Sequence, residues 1–275
     1  FTRIIFYKKY LKEEWKEKIN RISRTYNAAE YQTVLKEYRP CATLHINPQQ
    51  LENTLNRINE DGLVWIPIQK TEVYQGFSHK HLPPSKNWNY YGVLCKKKED
   101  ALEFYKASTS IPVDHTKIGR LLGYPECCIE FFNKVWGQGF YDPIWQIAEN
   151  TEGHKYEETH FSNIIYIEQA YPEANQALRY IGIRITSHLP HSFRCEETKK
   201  IGKYWIKVME EIDPEATEWA LNLLQSPLVW DSYHGVVEVW TPYFIVVTNT
   251  YPYLDKKRIV VLNSDKMPEF YKREH

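Results

Sequence analysis

Two short stretches hold three of the five cysteines and two of the ten histidines, residue types able to bind a soft metal ion. In LGYPECCIEFF, Cys127 and Cys128 follow a Gly-Tyr-Pro turn, and Pro125 suits the first position of a helix running through Trp136. In HLPHSFRCEETKKIG, Pro190 precedes His191 and Cys195, with His188 just upstream. The pattern predicts that Pro190 also opens a helix, with an apolar stripe at Ile201, Trp205, Val208 and Ile212. Unpaired N–H groups and the positive dipole end in the first helical turns stabilise anions, so both places favour thiolates. His191 and Cys195 are four residues apart, which puts them on one face of the predicted helix, as in pairs that hold one metal.

Cys127, Cys128, His191 and Cys195 supply three sulfurs and one nitrogen, the number that a tetrahedral zinc site takes. The same soft donors suit an iron-sulfur cluster, where a histidine is an occasional substitute. Against this, a CC pair is not the C-x2-C zinc knuckle, and neighbours on a helix diverge by about 100°. One of the two could then bind alone, with His188 as a spare ligand or a supporting partner. Other readings stay open: Cys128 packed with Phe132 and Trp136 as a small buried residue, a disulfide, or a catalytic thiol. Cys41 and Cys95 lie elsewhere in the sequence and are expected in the core or as a disulfide pair.

If the site is catalytic, one coordination position stays open for substrate or water, and His188, His115 and Glu126 are the candidate acid or base groups. Each also has a structural reading. His188 ends a predicted strand, His115 starts a helix, and Glu126 favours a helix dipole.

Together, LGYPECCIEFF and HLPHSFRCEETKKIG resemble the two signatures of an uncharacterised, largely archaeal domain-of-unknown-function family. In that family a Gly-Tyr-Pro-x-Cys-Cys stretch is followed tens of residues later by Pro-Cys-Ser-x-x-Cys. The resemblance covers about residues 90–262 and brings no activity with it. It implies that Cys127, Cys128 and Cys195 belong to one constellation. His191 stands where the pattern has cysteine, which keeps a metal donor but removes a disulfide partner and so favours ligation over a staple.

These residues need elements to position them. Ile4, Tyr7, Leu11, Trp15, Ile19, Ile22 and Tyr26 recur at helical steps and predict one long amphipathic helix with Lys8, Lys12 and Lys16 in solvent. Strands are expected over Ile66 to Tyr74 and Tyr90 to Cys95, separated by a loop that carries His79 and His81, a weak metal signal. A short helix follows in KKKEDALEFYKAS, then a helix capped by Asp114 and ended at Gly123. Ile181 to Ser187 reads as a strand, and the C-terminal third as three strands. VWGQGFYDPIWQ is a candidate pocket wall, although tryptophans more often serve the core.

The 275 residues hold 35 basic and 35 acidic side chains, so no global field draws the chain to nucleic acid. Residues 1–40 are locally cationic, with ten Lys or Arg against five Glu. No apolar run approaches the roughly 20 residues of a membrane span, and no signal-peptide pattern is read at the start of the chain. With five cysteines and no N-x-[ST] sequon, a cytoplasmic setting is expected. Abundant Lys, Glu, Tyr and Ile with two Met resembles hyperthermophile usage, where intracellular disulfides also occur.

The expected fold is α+β, mixed helices with a mainly antiparallel C-terminal sheet. It divides into a basic helix packed on the body (1–40), a small α/β region (41–110) and the Cys/His region (111–275). The expected function is a cytosolic metal-binding protein, with zinc or an iron-sulfur cluster at the Cys/His site; whether that site also serves an enzyme acting on an unknown small molecule is left open by the sequence. The alternative is a non-enzymatic module: a closed zinc or disulfide site pins two helices while the basic first helix contacts RNA or a protein partner.

Overall fold

The computed structural model describes residues 2–72, 88–137, 144–158, 163–226, 228–231, 236–249 and 257–262. His79 and His81 lie outside them. The fold is α+β, in two compact units: residues 28–134, and residues 1–27 together with 135–275.

The first strand, β1 (Thr2–Phe6), is followed by the long helix α1 (Lys9–Leu35), which contributes residues to both units. The remainder of the 28–134 unit alternates strands and helices. It contains β2 (Cys41–Ile46), α2 (Leu51–Glu60), β3 (Val64–Glu72), β4 (Trp88–Cys95), α3 (Lys98–Thr109), α4 (His115–Leu121) and most of α5 (Glu126–Gly137). Its sheet is antiparallel in the order β2-β4-β3. Side chains alternate between its faces. Ala42, Ile46 and Leu94 pack with Tyr31, Val34 and Ile58 on one side, while Val93 and the Cys41–Cys95 disulfide pack with Phe104, Leu121 and Leu122 on the other. α4 shares that second cluster with α3, and residues 111–134 fall in the same compact unit as residues 41–110.

The other unit is built on a seven-stranded sheet. After α6 (Ile144–Glu149) come β5 (Lys155–Glu158), β6 (Asn163–Glu168), α7 (Glu196–Ile212), α8 (Pro214–Leu224), β7 (Leu228–Asp231), β8 (Val236–Trp240), β9 (Phe244–Asn249) and β10 (Lys257–Leu262). The order is β1-β9-β8-β7-β10-β6-β5, antiparallel except for β10 on β6. A parallel pair needs a long crossover. Here the crossover from β6 contains the irregular segment 169–195 and α7, the part of the chain that carries His188, His191 and Cys195.

Three expectations change. Residues 2–6 are not helical: β1 pairs in register with β9, from Thr2 opposite Thr248 to Phe6 opposite Phe244. The helical stripe then begins at Leu11 and continues through buried Trp15, Ile19, Ile22 and Tyr26, while Lys8, Lys12 and Lys16 are exposed as expected. Trp15 stacks on Tyr243 with ring centroids 4.2 Å apart, and Tyr26 stacks on Trp205 at 5.6 Å. Second, Ile181 to Ser187 is not a strand. Gly182 takes a φ of 82°, a left-handed turn that breaks an extended run, and Gln176 Nε2 donates to the Thr186 carbonyl where a strand would use a neighbouring chain. Third, α7 begins at Glu196, six residues after Pro190, and its buried face is Thr198, Gly202, Trp205, Val208 and Met209, with Ile212 exposed. Trp145, from the candidate pocket wall, is a core residue.

Candidate metal centre

In the 28–134 unit, the Asp114 side chain accepts from the Lys117 amide at 2.9 Å and caps α4. Gly123 adopts a φ of 73° just beyond α4, the left-handed conformation at which glycine ends helices without steric cost. Tyr124 and Pro125 then redirect the chain. The Pro125 carbonyl accepts from the amides of Cys128 and Ile129, at 2.9 and 3.0 Å, so α5 starts at Glu126. Arg120 donates two hydrogen bonds to Glu126, at 2.7 and 3.1 Å, and Asn133 donates to Thr116 at 2.8 Å. These bonds hold α4 and α5 together. Cys127 is half-buried and Cys128 buried, with their sulfurs 3.9 Å apart.

In the other unit, residues 188–195 form an irregular turn held at several points. Asn150 donates to the His191 carbonyl at 2.9 Å, Phe193 N–H donates to the Thr151 hydroxyl at 3.0 Å, and Tyr171 N–H donates to the Phe193 carbonyl at 2.9 Å. Arg194 donates to the carbonyls of Glu168 and Gln169. The Cys195 amide donates to the Ser192 carbonyl at 3.2 Å, closing the turn. Cys195 is the N-cap of α7, and its sulfur accepts from the Thr198 amide at 3.3 Å. A sulfur there faces the positive end of the helix dipole, which stabilises the thiolate. His191 and Cys195 are therefore not on one helical face, as the four-residue spacing predicted; the turn brings them together instead. The hydrogen bond with Cys195 holds the His191 pKa above its usual value, against the opposing effect of burial.

Each of Cys127, Cys128, His191 and Cys195 offers one ligand atom, and these atoms all lie within 4.8 Å of one another. The group can hold a metal ion. A tetrahedral ion with metal–sulfur bonds of ~2.3 Å separates its sulfurs by about 3.8 Å, close to the 3.9 Å between Cys127 and Cys128.

The three acid–base candidates are not among these four. Exposed Glu126 is ion-paired with Arg120, whose hydrogen bonds hold its carboxyl below the usual range. His115 starts α4, with its ring 5.4 Å from that of Phe132, and burial lowers its pKa. His188 is buried, and its Nε2 lies 2.9 Å from the Thr198 hydroxyl. Sequence reasoning missed Thr151 and Thr198. Thr198 had a signal: it stands three residues after Cys195, the N-cap-to-N3 spacing of a capping box. Thr151 had none, because its role exists only through contacts with a segment 41 residues away.

Among the described residues, no helix is long and apolar enough to cross a membrane. Compared with protein-family models, curated proteins and solved structures, the chain matches none.

Proposed function

We propose that Cys127, Cys128, His191 and Cys195 hold one zinc ion in a closed, structural centre, and that the protein is a metal-stabilised module. The carrying observation is the mutual 4.8 Å limit on the four donor atoms. In an iron-sulfur cluster the protein ligands are distributed over several irons bridged by sulfide, which spreads them more widely than ligands of a single ion. Three sulfurs and one nitrogen fill a tetrahedron, the composition of structural sites, whereas catalytic zinc keeps a position for water or substrate. The engagement of Glu126 with Arg120 and of His188 with Thr198 fits the same reading, since each side chain has a structural partner. The resemblance to the Gly-Tyr-Pro-x-Cys-Cys family enters here as part of the proposal: these four residues are its defining set, with His191 replacing a cysteine.

Elemental analysis of anaerobically purified protein tests this reading. One zinc per chain with no visible absorption is expected. Iron with acid-labile sulfide, or a metal-free protein that takes up no zinc, would refute it.

A further inference from the structure

Thr198 makes two hydrogen bonds, one to the proposed ligand Cys195 and one to His188. Its amide donates to the Cys195 sulfur at 3.3 Å, and its hydroxyl lies 2.9 Å from His188 Nε2. Thr198 is 0% exposed and His188 3%. The link between them closes a ring of chain from residue 188 to residue 198, and both His191 and Cys195 lie inside it. The Cys195-to-Ser192 backbone bond falls within the same ring.

We infer that His188 and Thr198 are positioning residues for the zinc centre, an inference that rests on the zinc reading above. Neither residue is among the four donors. They hold the 188–198 segment so that His191 and Cys195 present their donor atoms together and the Thr198 amide stays directed at the sulfur. An irregular segment must otherwise be ordered when the metal binds, at a cost in backbone entropy for each residue fixed. A ring closed beforehand removes that cost from the binding step. The amide-to-sulfur bond also fixes the direction of the Cys195 sulfur. Partners of this kind that support metal ligands typically contribute 10–100-fold in affinity.

The test uses the full chain with zinc as the probe and a chromophoric chelator as competitor. Thr198→Val removes the hydroxyl while keeping the shape and the amide, and Thr198→Ser restores the hydroxyl. The expected result is a loss of zinc affinity of about 10–100-fold for Thr198→Val, with Thr198→Ser close to wild type. A purely structural role would lower the melting temperatures of metal-free and zinc-loaded protein equally and leave affinity unchanged; that result overturns the inference. So does an equal loss of affinity in both variants. If Thr198→Val does not fold without metal, His188→Leu carries the same expectation and the same reversal. Failure of the wild-type chain to bind zinc is visible separately and removes the zinc reading itself, taking this inference with it.

Discussion

Cys127 and Cys128 are neighbours at the start of α5, yet their sulfurs lie only 3.9 Å apart. Side chains one step apart on a helix diverge by about 100°, which from sequence left open whether both of the pair bind. The observed spacing suits two ligands of one ion. Cys127→Ser and Cys128→Ser are each expected to lose zinc at a chelator concentration that leaves wild type loaded. Full retention by either variant would show that its sulfur is not a ligand.

His191 is the one nitrogen donor among the four residues of the proposed centre. His191→Ala is expected to lose bound zinc and to unfold at lower temperature, because the missing ligand leaves thiolates unpaired and forfeits binding energy that contributes to folding. His191→Cys is expected to keep one metal on four sulfurs. Equal zinc content in wild type and His191→Ala would remove the histidine from the centre.

The Cys41–Cys95 disulfide joins β2 to β4 across a sequence separation of 54 residues. Loop closure of that length is worth about 4 kcal/mol. The double variant Cys41→Ala, Cys95→Ala is therefore expected to lose roughly that much stability in chemical unfolding while retaining its zinc. Zinc loss without unfolding in this variant would contradict the assignment of ligands.

Much of this arrangement was legible where it depended on local chemistry. Asp114 as a cap, Gly123 as a helix end and the start of α5 behind Pro125 all follow from short-range rules. The error at Pro190 has a physical origin. Proline favours a helix start, but the Ser192 carbonyl takes the Cys195 amide into a turn, and Cys195 caps the helix later, a role that cysteine seldom has. Residues 2–6 were assigned to the helix because Ile4 and Tyr7 continue its spacing; only pairing with β9, more than 230 residues away, makes them a strand. The placement of β10 between β6 and β7 likewise depends on partners that no local pattern names.

Trp15 is 3% exposed and stacks on Tyr243. Trp15→Ala is expected to cost about 3–5 kcal/mol. Lys12→Ala, on the exposed face of the same helix, should stay within about 0.5 kcal/mol of wild type. Denaturant titration of both variants checks the contrast, and equal effects would contradict the packing of α1.

Asp213 caps α8 and accepts two hydrogen bonds from Arg21, which hold its carboxyl below the usual range against burial. A carboxyl whose pKa is depressed on folding stabilises the fold above its unfolded pKa of about 3.9 and loses that contribution as pH falls through the folded value. Asp213→Asn keeps a capping oxygen but not the charge. It is expected to be less stable than wild type near neutral pH, with the gap closing below about pH 4. A gap that is constant with pH would exclude the ion pair as its source.

X-ray absorption at the zinc edge of the loaded chain tests the central claim most directly. Three sulfurs at ~2.3 Å and one nitrogen at ~2.0 Å around a single zinc is the expected shell. A shell dominated by oxygen and nitrogen, or one with fewer than three sulfurs, would contradict it.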